Sequence, residues 1–202
     1  MNRRGLLFVI SGPSGVGKGT ICKKLMSKLN DLHISISVTT RSPRHNEEHG
    51  KSYFFINNKE FKNMINKDQL LEWAEVYGKY YGTPRKWVVE KLDGGHDVLL
   101  EIDVQGALNV KSKLKESILV FIMPPSVDEL KKRLISRGTD SENVINERLK
   151  YVKDEIKKAD RYDYIVVNDY LDEALKRVIA IMTAEKCKSK RFDIKSYLYG
   201  DE

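Results

Sequence analysis

Apolar residues along this chain fall into short unbroken runs separated by longer amphipathic stretches. Leu6-Leu7-Phe8-Val9-Ile10, Val98-Leu99-Leu100-Glu101-Ile102-Asp103, Ile118 to Met123 and Tyr164 to Val167 are apolar with little alternation. That pattern predicts strands buried on both faces, as in a parallel sheet. His33 to Val38 alternates in part and predicts a second strand of the same set. The intervening stretches carry helical stripes. One helix runs from about Lys18 to Asn30, and another from Gln105 to Lys113. Ser126-Val127-Asp128-Glu129 is a capping box that opens a helix with Val127, Leu130 and Leu134 on one face. Two further stripes are Ile145, Leu149, Val152 and Ile156, and then Leu175, Val178, Ile179 and Met182. Strands alternating with helices predict an α/β fold, with a mostly parallel sheet covered on both faces.

The stretch after His33–Val38 has a different character. Tyr53 to Ile56 predicts a short strand, and Asn58 can cap a helix carrying Phe61, Met64 and Ile65. Leu70 to Tyr77 predicts another strand, turned by Gly78 into Tyr80-Tyr81. Strands this short and close favour a small antiparallel sheet. Thr83-Pro84 has the form of a cap followed by proline at the first helical position, and Gly94-Gly95 ends that helix. Residues 37–92 therefore have the pattern of an insertion between parallel-sheet units.

Between the first strand and the first helix lies Gly12-Pro13-Ser14-Gly15-Val16-Gly17-Lys18-Gly19-Thr20. Strand, glycine-rich turn, and helix opening on a lysine form the context of a phosphate-binding P-loop. Small residues let successive backbone N–H groups converge on a phosphate, and the helix start adds its positive end. Lys18 supplies a mobile charge for β- and γ-phosphates. Residue 19 is Gly, where a hydroxyl that binds Mg²⁺ is usual. No direct protein ligand to a metal is expected there, so a Mg²⁺ held by nucleotide phosphates and water fits better.

Glu101 and Asp103 stand two apart at the end of a predicted strand, on one face, where α/β folds bind ligands. Acids there can organise Mg²⁺ or its waters. Arg41 and Arg44 bracket Pro43 and could clamp a phosphate. Arg133 and Arg137 are four apart on one helix, with Arg148 on the next. Spacing alone favours reading those three as a solvated face.

Composition narrows the class. The 202 residues suffice for one α/β domain with small insertions, and 41% hydrophobic content supports a core. No apolar run approaches the roughly 18 residues of a membrane span, and the N-terminal run is too short for a signal peptide. No membrane partner and a cytoplasmic location are expected. Two cysteines, Cys22 and Cys187, suggest neither a disulfide scaffold nor a metal cluster. The net charge of +7 is spread among acids, apart from Lys186–Lys195. It suits phosphate-rich small substrates, and no nucleic-acid partner is expected, since no such signature is present. Oligomeric state is not legible.

Gly-Lys-Gly-Thr at residues 17–20 resembles the P-loop form of nucleoside monophosphate kinases. The P-loop joins a longer series: Ser37 to Arg44, Gly50-Lys51-Ser52-Tyr53, Glu72-Trp73-Ala74 and Tyr80-Tyr81-Gly82-Thr83. It continues with Glu101 to Gly106, Pro124-Pro125-Ser126, Arg137-Gly138-Thr139 and Val167-Asn168-Asp169. Together these resemble the guanylate kinase family over nearly the whole chain. The resemblance implies a P-loop kinase three-layer sandwich with a five-stranded parallel core sheet, a small mixed GMP-binding insertion and a helical lid. The parts would be a core of residues 1–36, 93–125 and 159–202, an insertion of 37–92 and a lid of 126–158. The implied reaction is ATP + GMP giving ADP + GDP, with dGMP also accepted and Mg²⁺ as cofactor. By this likeness Arg41, Arg44, Tyr53 and Tyr81 hold the GMP phosphate. Ser37, Glu72 and Thr83 read guanine, with Glu101 and Asp103 nearby. Arg133, Arg137 and Arg148 reach the ATP phosphates, and Asn168 approaches adenine. Lys18, Arg41, Arg137 and Arg148 are the implied catalytic set. The alternatives are a non-catalytic binding module of the same fold and a monophosphate kinase for another base. The intact Gly17-Lys18 and the arginines argue against the first.

Overall fold

The computed structural model describes residues 3–76, 78–136, 142–192, 194 and 198, with residues 142–148 described as backbone. The first strand, β1 (Leu7–Ser11), is buried at every position and forms the middle of a five-stranded sheet. The other strands of that sheet are β2 (Leu32–Ile34), β7 (Asp97–Glu101), β8 (Ile118–Met123) and β9 (Tyr164–Val167). The order is β2-β7-β1-β8-β9, and every pairing is parallel. Helices cover both faces. On one side, Phe8, Ile10, Val120 and Ile122 pack with α1 (Lys18–Lys28), α5 (Val127–Ser136) and α7 (Leu171–Lys186). On the other, Leu7, Val9, Leu100 and Phe121 pack with α3 (Arg85–Asp93) and α4 (Val104–Lys113). This is the three-layer α/β fold that the unalternating runs predict.

A separate four-stranded sheet is formed by β3 (Val38–Thr39), β4 (Phe54–Phe55), β5 (Leu70–Val76) and β6 (Lys79–Pro84), in the order β4-β3-β6-β5. Its own small core contains Val38, Phe61 and Leu70, with α2 (Asn58–Asn66) closing one side.

Five local expectations need correction. His33–Val38 is not one strand: β2 stops at Ile34, and Val38 starts β3 in the other sheet. Partial alternation continues through Ser35–Ser37, which hides the break. The small sheet is mixed rather than antiparallel, because β3 and β4 run parallel; residues 40–53 between them are long enough to return the chain to the same end, whereas β5 and β6 follow one another as an antiparallel hairpin. The cap of α2 is Asn57, one residue earlier than predicted, with a complete capping box to Glu60. Thr83 lies in β6 and Pro84 is itself the cap of α3, because the strand pairing Leu70↔Pro84 outcompetes the local helix signal. Finally, β7 ends at Glu101, and Asp103 is the N-cap of α4, accepting from the N–H groups of Gln105 and Gly106 at 2.8 and 3.0 Å.

Candidate active site

The P-loop leaves the C-terminal end of β1, and glycine is required at its bends. Gly12 has φ +142°, and a Cβ there would lie 2.3 Å from the Ile122 carbonyl oxygen. Gly17, the N-cap of α1, is left-handed at φ 98°. The first turn of α1 carries no acid, so its N–H groups and dipole remain available to an anion. Lys18 Nζ donates to the Gly12 and Pro13 carbonyls at 2.6 and 3.1 Å. Burial lowers its pKa, while Glu101, then Glu155 and Asp103, oppose that shift.

Glu101, on β7 beside β1, faces the loop. A Cβ on Gly19 would sit 3.3 Å from Glu101 Oε1. The departure at residue 19 thus leaves room for a carboxylate directly beside the phosphate cradle. Asp103 lines the same cleft although one of its oxygens is engaged in the cap. Among the described residues no cluster of three or more acids, histidines or cysteines could hold a metal unaided. Two hard oxygen donors beside a phosphate cradle nevertheless suit a phosphate-bound Mg²⁺, which keeps much of its water.

One cleft joins this cradle to the second sheet. It is lined by Ser14 and Lys18 of the P-loop, by Ser37, Arg44, Tyr53, Glu72, Tyr81 and Gly82 of the segment that carries the second sheet, and by the acids Glu101, Asp103 and Glu155. The surroundings of Glu72 are built by register. Glu72 on β5 pairs with Thr83 on β6, and Thr83 Oγ1 donates to Glu72 Oε1 at 2.7 Å. Glu72 is only 2% exposed. Burial raises its pKa to about 7, against the lowering effect of the Thr83 hydrogen bond. A buried carboxylate at the end of a cleft can accept two donors from one face of a planar ligand.

The surroundings of Tyr53 and Tyr81 are basic and aromatic. Arg41 lies 5.3 Å over the Tyr53 ring, and Tyr53 meets Tyr81 edge-on at 6.1 Å. Burial pushes Tyr53 up to about 12, which keeps it a neutral hydroxyl donor. Arg41 itself is engaged by Glu47, with Nη1 to Oε2 at 2.8 Å and Nη2 to Oε1 at 2.9 Å.

The expected ATP-side residues are placed unevenly. Arg133 donates to the Asn168 carbonyl at 3.1 Å and pairs with Glu129 at 3.2 Å. The Asn168 amide donates to the Val16 carbonyl at 2.8 Å, so it props the P-loop. Arg137 and the side chain of Arg148 lie outside the described residues. Two acids were not legible as site residues. Glu155 occupies a polar position in the last turn of α6 (Glu142–Ile156), between Val152 and Ile156, and helical periodicity treats it as surface. Glu47 lies in a polar loop, and only its arginine partner reveals it.

A phosphate cradle on a parallel sheet, facing a separate small sheet with a buried acid across one cleft, defines a P-loop nucleoside monophosphate kinase. Residues 4–185 match the family model described as guanylate kinase. The chain is 53% identical over 195 residues to the guanylate kinase of Syntrophomonas wolfei, covering 96% of this chain and all of that protein. It is 52% identical to that of Caldanaerobacter subterraneus, covering 95% and 93%. The crystal structure of guanylate kinase from Anaplasma phagocytophilum superposes with a TM-score of 0.81 at 33% identity, covering 98% of this chain and 97% of that one. The chain belongs to the guanylate kinase family.

Proposed function

We infer that this guanylate kinase phosphorylates GMP, and dGMP, with ATP, and that the single cleft binds both nucleotides. The observation that carries the reading is the joining of the Lys18 cradle to the buried Glu72–Thr83 pair. Guanine presents donors at N1 and N2. An ionised Glu72 accepts both, and hydroxyls at Ser37 and Thr83 serve the remaining edge. Adenine presents an acceptor at N1, which a carboxylate repels. A buried acceptor left unpaired discriminates far better than apolar shape does.

The GMP phosphate sits among Arg41, Arg44, Tyr53 and Tyr81, and the ATP phosphates lie in the Gly12–Thr20 loop. A GMP phosphate oxygen forms the new bond to the γ-phosphorus while the bond from the γ-phosphorus to the β–γ bridging oxygen breaks, releasing ADP. The protein supplies positioning and charge. Lys18, Arg41 and the arginines at 133, 137 and 148 neutralise the transferring group. Kinases that use ATP generally need a divalent metal. Mg²⁺ bound to the phosphates would supply further charge neutralisation, with Glu101 and Asp103 orienting its water shell. The separate second sheet supports the insertion (37–92) in the division into core (1–36, 93–125, 159–202), insertion and lid (126–158). A cytoplasmic location suits nucleotide substrates.

ATP turnover measured in parallel with GMP, AMP, CMP and UMP tests the reading. Turnover should be confined to GMP among the four. Equal turnover of AMP refutes base reading by Glu72, and no turnover with any acceptor marks a non-catalytic module.

A further inference from the structure

Resting on the reading of Glu72 as the guanine acceptor, we propose that one face of α4, carrying Gly106, Asn109 and Lys113, is the positioning element that sets base specificity without touching the base. These residues stand at i, i+3 and i+7, so they share one stripe of the helix. That stripe lies against β5, one of the two edge strands of the small sheet. Lys113 Nζ donates to the Leu71 carbonyl at 2.8 Å, and Asn109 Nδ2 donates to the Trp73 carbonyl at 3.2 Å. The backbone is therefore gripped on both sides of Glu72. Gly106 completes the mould. A Cβ there would lie 2.6 Å from Glu72 Oε2 and 3.2 Å from its Cδ, whereas Ile102 Cδ1, at 3.5 Å, would be in ordinary contact. The missing side chain is thus matched to one neighbour, the carboxylate. Thr83 fixes the other oxygen, Oε1, at 2.7 Å. Each carboxylate oxygen has its own positional constraint, one from the small sheet and one from the core.

Alanine is compatible with the helical backbone at 106 and is the better helix former. A methyl group there moves a flexible side-chain end rather than the fold. The consequence falls on recognition, because displacing a charged hydrogen-bond acceptor by even an ångström is costly.

The experiment is a double-mutant cycle read with GMP and IMP, the latter lacking the 2-amino donor. Gly106→Ala should raise KM for GMP by about tenfold or more. It should narrow the GMP-over-IMP preference in kcat/KM and leave KM for ATP within about twofold. Asn109→Ala, at a position where folding is not at risk, should move GMP binding in the same direction by a smaller factor. In a Glu72→Ala background, both substitutions should become silent towards GMP. Gly106→Ala without effect on KM and preference, or an equal effect of either substitution in the Glu72→Ala background, overturns the proposal. The underlying reading fails separately: Glu72→Ala would then leave the GMP-over-IMP preference unchanged.

Discussion

Both terminal nitrogens of Arg41 are held by Glu47, at 2.8 and 2.9 Å, in a pair whose side chains are only 16% and 18% exposed. The bidentate geometry resembles the way an arginine grips a phosphate. Glu47 therefore occupies Arg41 before any phosphate arrives, and its charge opposes an incoming dianion. Hydrogen bonding to Arg41, followed by the Arg44 N–H, holds the Glu47 carboxyl below its ordinary range, so it stays ionised at neutral pH.

Glu47→Gln should loosen this competition while keeping acceptors for the Arg44 N–H. The expected result is GMP binding tightened by roughly threefold, the effect of one partly exposed charge. Titration calorimetry with GMP alone reads it. Weaker binding would mean that Glu47 shapes the loop rather than competes for Arg41.

Glu72 makes both recognition and stability depend on pH. Burial raises its pKa from 4.5 to about 7. Between those values the folded protein holds a proton that the unfolded chain has lost. Stability contributed at this site therefore falls as pH rises from about 4.5 to about 7, and stays lower above that. Glu72→Gln removes the dependence. Relative to the parent, the variant should gain stability between pH 5 and pH 8, with a ceiling of about 3 kcal/mol. Guanine reading has the opposite sign, because it needs the ionised form. KM for GMP in the parent should rise as pH falls below about 7, and this limb should be absent in Glu72→Gln. Thermal melts and GMP kinetics across pH 5–8 check both.

Asn168 should act through the P-loop. Its amide donates to the Val16 carbonyl at 2.8 Å, and the residue is 5% exposed. Asn168→Ala leaves that buried carbonyl without this donor, at a cost of about 1–3 kcal/mol. Asn168→Asp should be worse, because a carboxylate would face a carbonyl. KM for ATP should rise in both variants while KM for GMP changes little. A normal ATP KM in a destabilised Asn168→Ala protein would leave the contact purely structural.

Leu134 tests how firmly α5 backs the same loop. It is 1% exposed, and its Cδ2 lies 2.6 Å from where a Cβ on Gly15 would stand. Leu134→Ala should lose about 2–5 kcal/mol in denaturant unfolding. The cavity opens beneath Gly15, so ATP affinity should fall with stability while GMP affinity holds.

The centre of the core sheet was legible because β1, β7 and β8 are buried on both faces and so read as unbroken apolar runs; β9, at the sheet edge, is equally apolar in sequence yet leaves Ile165 and Val167 exposed. The P-loop was legible because its chemistry resides in spacing. What escaped was governed by tertiary pairing. Nothing local distinguishes Ile34, at the end of one sheet, from Val38, which starts the other. Asp103 sits two residues after Glu101 in an extended-looking run, but the N–H groups of Gln105 and Gly106 needed an acceptor, and that capping demand ended the strand. Gly106 itself reads as an indifferent helix residue until Glu72, more than thirty positions earlier, is placed against it. Glu72 was singled out as a candidate base acceptor only through family likeness; its contact with α4 required the structure.

Glu155 provides the last test. It lines the cleft from the last turn of α6, where it interacts electrostatically with Lys18, Asp103 and Lys158. Burial raises its pKa to about 7, with Lys18 as the leading opposing influence. The coupling is mutual: burial lowers the Lys18 pKa, and Glu155 is second only to Glu101 in holding it up. Removing the acid therefore lets the ammonium lose its proton at lower pH. kcat/KM for ATP reports ionisations of the free enzyme. In Glu155→Gln its alkaline limb should move to lower pH, while the neutral side chain, free of the desolvation cost that outweighs the pull of Lys18 on the acid, leaves the fold at least as stable at pH 8. Glu155→Asp, which keeps the charge, should restore part of the shift. An alkaline limb that stays in place in Glu155→Gln would show that Lys18 is held by Glu101 and the loop carbonyls alone, and that Glu155 serves only to pack the end of α6.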